Sequence, residues 1–155
     1  MQIYITAFII ALGVAYMVTP SVQRLAVRWG AVDKPEARKV YTGISPRLGG
    51  LEIYIGFIAA VMSSVHLTWE LLGIFVGGTA ILLLGIVDDV YQISAKKKLL
   101  GQIAAASVLL LFDIRIDWLT NPFGSMIYLD MWAIPITLIW VVSLTNTLNL
   151  IDGLD

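Results

Sequence analysis

Long apolar runs alternate with short polar links along this chain. Five runs stand out: Ile3 to Val22, Leu51 to Val65, Trp69 to Val87, Leu99 to Phe112 and Met131 to Leu150. A helix that crosses the hydrocarbon of a bilayer needs roughly 20 residues, within a range of about 17–25. The first, third and fifth runs reach that length, and the second and fourth fall short of it. Lys96, Lys97 and Lys98 can extend the fourth, because lysine lays its methylene stem along apolar surroundings and keeps its ammonium at the headgroups. The pattern predicts an all-α polytopic membrane protein, a single transmembrane domain over residues 1–155 with about five transmembrane helices.

The link before the fifth run reads "IRIDWLTNPFGSMIYLD". Two short alternating runs flank Asn121-Pro122-Phe123-Gly124, with Pro at a favoured turn position, which predicts a small amphipathic β-hairpin. Trp118 and Trp132 suit the aromatic belt of a membrane interface.

Composition strengthens the membrane reading. Hydrophobic residues make up 59% of the chain and charged ones 14%, with a mean hydropathy of +0.87. A soluble domain is about half apolar and a quarter charged. There is no cysteine, which excludes a disulfide framework and a thiolate metal site. No P-loop or dinucleotide fingerprint appears. The first run lacks a basic leader and a small-residue cleavage site, so it reads as a retained helix.

The net charge of −1 says little, but the placement of charge says more. Arg24, Arg28, Lys34, Arg38, Lys39 and Arg47 fall between the first two runs, and Lys96, Lys97 and Lys98 between the third and fourth. Nine of the ten basic residues thus share one side of an alternating path, leaving Arg115 on the other. By the positive-inside rule the basic side is cytoplasmic, the N-terminus and the hairpin are outside, and Asp155 is inside.

Chemistry concentrates on that side. The stretch "GIVDDVYQISAKKKLLGQ" places Asp88 and Asp89 at the end of the third helix, where the negative end of the helix dipole disfavours acids by about 0.3–1 kcal/mol. A divalent cation reverses the penalty, and Mg²⁺ takes one or two carboxylates with phosphate oxygens and water. Neighbouring helical residues point about 100° apart, so one carboxylate suits a metal while the other faces a substrate. A solvated helix terminus is the bland alternative. In "LTNTLNLIDGLD", Asn146, Asn149, Asp152 and Asp155 recur every third residue along one drifting helix face. Interhelical hydrogen bonding accounts for the asparagines but poorly for the aspartates. The loop "DKPEARKVYTGISPRLGG" adds basic groups among Pro and Gly, beyond what a lipid-headgroup anchor requires. Acids for a metal and bases for phosphates are what phosphoryl transfer needs, since it is largely positioning and charge neutralisation.

These three motifs carry a resemblance. "DKP..RK.....PRLGG", "DD...ISAK.KLLGQ" and "NTLNLIDGLD" occur in the order seen in the polyprenyl-phosphate N-acetylhexosamine-1-phosphate transferases. The chain looks most like the bacterial UDP-GlcNAc:undecaprenyl-phosphate type that starts teichoic acid, lipopolysaccharide O-antigen and related surface glycans. The resemblance implies attack of undecaprenyl phosphate on the β-phosphate of a UDP-N-acetylhexosamine with release of UMP. It implies Mg²⁺, with Mn²⁺ as a substitute, and no nucleic-acid partner. It gives Asp88, Asp89, Asp152 and Asp155 catalytic roles, with Asp88 and Asp89 as metal ligands. Arg38, Lys39, Arg47, Lys96, Lys98, Asn146 and Asn149 become substrate-binding residues. It places the protein in the bacterial cytoplasmic membrane with its site facing the cytoplasm.

Tyr41 and Ile44 depart from the His and Pro usual in the first loop of that family. Glu52 is also unusual after Gly49-Gly50, and reads as an interfacial acid. The family has about twice as many spans and a later metal-binding Asp, so the resemblance implies the N-terminal half of a larger transferase, inactive by itself. A C-terminal half or a second copy is the implied protein partner. Two other classes compete: a non-catalytic membrane fragment needing a partner chain, and an ion-coupled transporter. Transporter sites lie near the bilayer midplane, whereas Asp88 and Asp89 sit at a helix end.

Overall fold

The computed structural model describes residues 2–33 and 45–152. Five helices dominate: α1 (Gln2–Trp29), α2 (Gly49–Ser64), α3 (Trp69–Tyr91), α4 (Ala95–Leu111) and α5 (Ala133–Asp152). Two antiparallel pairs join them, β1 (Val32–Asp33) with β2 (Ser45–Pro46), and β3 (Trp118–Leu119) with β4 (Ile127–Tyr128). A 3₁₀ turn at Asp130–Trp132 leads into α5. The fold is the all-α membrane class expected, hairpin included. The chain divides into two compact units, Met1–Leu67 with Gly85–Ile93, and Thr68–Leu84 with Ser94–Asp155.

In the first unit α1 packs along α2. Gly56 makes the approach close: a Cβ there would lie 2.6 Å from the Ala11 carbonyl oxygen and 3.3 Å from Ala15 Cβ. Small residues allow such backbone proximity where lipid supplies no hydrophobic drive between helices. Below this contact Val22, Ala26, Ala31 and Leu48 form a buried cluster, against which Val18, Leu51, Ile86 and Val90 pack. α1 overruns its expected end by seven residues and continues through Pro20. Gly30, at φ +75°, then stops it. The Gly30 N–H donates to Val27 O at 3.3 Å and the Ala31 N–H to Ala26 O at 2.9 Å, the Schellman pattern that satisfies two terminal carbonyls. Ala31 O accepts the Arg47 N–H at 3.0 Å, and the β1–β2 pair sets Val32 opposite Pro46. The sequence pattern predicts only loop over 33–50; Asp33 of β1, all of β2 and the first two residues of α2 fall inside that stretch.

In the second unit glycines again mark where helices meet. A Cβ on Gly77 would approach Leu109 Cδ2 at 2.8 Å, and one on Gly101 would approach Leu84 Cδ1 at 2.6 Å. Trp69 packs against Phe112 in a tilted arrangement, with ring centroids 4.7 Å apart. The hairpin is rooted on α5: Thr137, which is buried, donates to Ala133 O at 2.6 Å and accepts the Ile116 N–H at 2.9 Å. The hairpin's strands are exposed on both faces, so the amphipathic alternation expected there finds no buried side.

The buried hydrophobic residues are mostly alanines, while large side chains such as Phe8, Tyr16 and Leu111 face outward. Lipid accounts for that inversion, since contiguous apolar surface of this extent is not left in water. α1, α3 and the segment Asp130–Ile151 are each long and apolar enough to cross a bilayer. The chain is an integral membrane protein. α2 and α4, with 16 and 17 residues, are shorter than these three.

Candidate functional site

α3 continues past the end of its apolar run at Val87 to Tyr91, so Asp88 and Asp89 occupy its last turn, as expected. No basic residue shares that turn. Asp88 O accepts the Gln92 N–H at 2.7 Å, and Gln92 ends the helix in the left-handed region at φ +50°. Both aspartates are half-buried and neither is without a partner. The site therefore begins with two acids at the negative end of a helix dipole, an arrangement the fold itself does not favour.

After Gln92, Ile93 and Ser94, α4 starts at Ala95, four residues ahead of the apolar run. Lys96, Lys97 and Lys98 thus stand in its first turn, where no acid accompanies them and where the dipole presents positive charge. Ser94 holds the N-cap position without a side-chain capping bond, although its carbonyl accepts the Lys98 N–H at 3.0 Å. Lys96 and Lys97 are exposed and Lys98 is half-buried.

At the far end of α5 the polar residues separate by role. Asn146 Nδ2 donates to Gln102 Oε1 and to Val142 O, both at 2.8 Å, while Gln102 Nε2 donates to Asn146 Oδ1 at 3.2 Å. Gln102 is buried, 1% exposed. Both amide protons of Asn146 are therefore engaged by the protein. Among the described residues Asn149, exposed one turn later, has no such bond, and Asp152 is the last residue of α5. Sequence reasoning placed Gln102 within a motif and gave it no role; the available signal was a glutamine on an otherwise apolar helix.

Arg47 is exposed, and its backbone N–H is fixed by Ala31. Glu52 lies in the first turn of α2, where the dipole favours an acid, but its Oε2 is buried with no hydrogen-bond partner among the described residues, unlike an acid in an aqueous interface. Arg38, Lys39, Tyr41, Ile44 and Asp155 lie outside the described residues. Arg47, Asp88 and Asp89 belong to the first unit, and Lys96, Lys98, Asn146, Asn149 and Asp152 to the second. Among the described residues no three His, Cys, Asp or Glu side chains gather as a ready-made metal cluster. The adjacent pair fits an ion that takes one or two carboxylates and completes its shell with phosphate and water.

Charged and amide groups thus stand at the ends of apolar helices in each unit of a membrane protein. Residues 71–155, more than half of the chain, match glycosyl transferase family 4, and the chain belongs to that family. It is 42% identical to the "probable undecaprenyl-phosphate N-acetylglucosaminyl 1-phosphate transferase" of Bacillus subtilis, over 97% of this chain and 43% of the relative. It is 37% identical to the "decaprenyl-phosphate N-acetylglucosaminephosphotransferase" of Mycolicibacterium smegmatis, over 92% of this chain and 38% of the relative. A similarity of 29% links it to the "undecaprenyl-phosphate alpha-N-acetylglucosaminyl 1-phosphate transferase" of Escherichia coli K12, over 86% of this chain and 37% of that protein. The chain spans about two fifths of the length of these relatives. No solved structure matches it.

Proposed function

We propose that this chain carries part of the site of a transferase that moves N-acetylglucosamine-1-phosphate from UDP-GlcNAc to a polyprenyl phosphate. The carrying observation is charge set against both dipoles: Asp88 and Asp89 at the end of α3, and Lys96 to Lys98 at the start of α4. Ligands of opposite charge relieve both. Asp88 and Asp89 would hold Mg²⁺, which supplies charge neutralisation at the diphosphate when bound. Lys96, Lys98 and Arg47 would bind phosphate oxygens, and Asn149 and Asp152 would position the nucleotide sugar. The lipid phosphate is mostly dianionic at neutral pH, its second pKa being about 6, so it needs little help from a general base. In this reading α2 and α4 also span, and the charged ends face the cytoplasm of a bacterial inner membrane.

The test uses membranes that lack an endogenous homologue and radiolabelled UDP-GlcNAc. Residues 1–155 alone should insert but leave the lipid unlabelled. Co-expression with the C-terminal portion of the Bacillus relative should restore labelling. Strong labelling by residues 1–155 alone would show a complete site in this portion. No labelling in either arm, with both chains present in the membrane, would remove the transferase reading.

A further inference from the structure

The link between α4 and α5 carries features that the proposed chemistry does not use. Residues 118–129 contain no charged side chain. Within and just after that stretch, Trp118, Phe123, Tyr128, Met131 and Trp132 are all exposed, Phe123 to 96% at the tip of the turn. A loop built for water would not present this surface. Of the charges that flank it, Arg115 and Asp117 pair with each other at 2.8 Å, and Asp130, exposed, follows the second strand.

The root also has a depth. Ile116 N–H is held by Thr137 Oγ1, and Thr137 lies seven residues into the span Asp130–Ile151. Seven helical residues rise about 10 Å, and the span's 22 residues reach about 33 Å against a hydrocarbon thickness of about 30 Å. The first strand therefore leaves α5 below the end of the span. Backbone at that depth must be internally paired. Such pairing begins at the root: beyond the Ile116 bond, Leu129 N–H donates to Asp117 O at 2.9 Å, and Trp118 pairs with Tyr128. From there the strand runs to its turn over about 20 Å. Upright, it would carry an uncharged aromatic tip through the headgroups into water. Lying over, it keeps Trp118, Tyr128 and Phe123 in the interface, continuous with the exposed apolar surface of Met131 and Trp132.

We propose that the β3–β4 hairpin is an interfacial membrane element, seated in the phospholipid headgroup–acyl boundary beside α5. This inference is independent of the transferase reading. The partner is the bilayer of the protein's own membrane, recognised through aromatic and apolar side chains.

The absence of native cysteine gives a direct test. Single cysteines replace Phe123, Tyr128 or Arg115, carry an environment-sensitive fluorophore, and are measured in nanodiscs of phosphatidylethanolamine and phosphatidylglycerol. All three side chains are exposed, so labelling disturbs no buried packing. Labels at 123 and 128 should emit well to the blue of the same fluorophore free in water, as the label at 115, beside the root, also should. They should be quenched by lipids with a nitroxide at a shallow acyl position and resist aqueous iodide. Labels at 123 and 128 that iodide quenches freely would place the hairpin in water and overturn the proposal. Shielding from both quenchers would mean that a protein surface covers it, and would overturn the proposal equally.

Discussion

The two ends of α3 both carry acid, and only one end should. At its start Thr68 Oγ1 accepts the Leu71 N–H at 3.2 Å and Thr68 O accepts the Leu72 N–H at 3.0 Å, with Glu70 in the first turn. That is ordinary helix chemistry: a cap on an orphan donor and a negative charge at the positive end of the dipole. At the other end Asp88 and Asp89 meet a negative dipole with no basic residue in the turn, and three residues later α4 opens with lysines where the dipole is positive. Each such placement costs a few tenths of a kcal/mol up to about 1. A helix end that obeys the electrostatics is explained by folding. One that breaks it, in both signs within a few residues, is not explained by the helix alone, and it is there that the proposed ligands would add charge of the opposite sign.

The largest expected effect tests that contrast within one helix. In the chain co-expressed with the C-terminal portion of the Bacillus relative, Asp88→Asn and Asp89→Asn should each lower GlcNAc-1-phosphate transfer about a hundredfold or more, with membrane insertion unchanged. Glu70→Gln, at the end that obeys the rule, should leave transfer as it was. Equal losses at both ends, measured by the same lipid-labelling assay, would dissolve the comparison. A smaller effect is expected at α4. Lys96→Ala should raise KM for UDP-GlcNAc about tenfold, the loss of one charge-assisted phosphate contact. The same change should leave the melting temperature level or slightly higher, because the lysine opposes its own helix. A fall in stability that parallels the loss of activity would instead make Lys96 a structural residue.

Much of this was legible in the residues. The apolar runs located all five helices, since lipid leaves a helix little choice but to be continuously apolar. The ends were less legible. α1 ran through Pro20 to the Gly30 stop because a proline removes one hydrogen bond while the other turns hold, and the buried cluster around Ala26 rewards continuation. The signal for its true end was Trp29-Gly30, a glycine at the left-handed position of a Schellman turn. The charges at the end of α3 and at the start of α4 were legible as parts of those helices, because backbone hydrogen bonding continues where hydropathy ends. The motifs named the polar residues of the site. They could not separate an asparagine used for packing from one available to a ligand, because that depends on which helix lies opposite.

Asn146 and Asn149 make that last distinction testable. They stand three apart on α5, and among the described residues only Asn146 has both amide protons engaged, by Gln102 and Val142 O. A single interhelical hydrogen bond in a membrane contributes about 0.6 kcal/mol on average and up to about 1.7. Asn146→Leu removes two such bonds and also leaves Gln102, at 1% exposure, buried with polar atoms unmatched. Stranding a buried polar group costs more than the bond was contributing, roughly 1–3 kcal/mol, whereas replacing both partners by apolar groups is close to neutral. Asn146→Leu should therefore lower stability clearly, and the Gln102→Leu/Asn146→Leu pair should recover part of the loss. Asn149→Ala should leave stability unchanged and reduce transfer. Thermal unfolding in detergent, with and without a few mol per cent lipid, reads the first two, and the lipid-labelling assay reads the third. If the double substitution unfolds as readily as Asn146→Leu, the amide pair is not a mutual clamp. If it refolds fully yet transfers nothing, Asn146 has a second role toward the substrate, through the lone pair its oxygen does not share with Gln102.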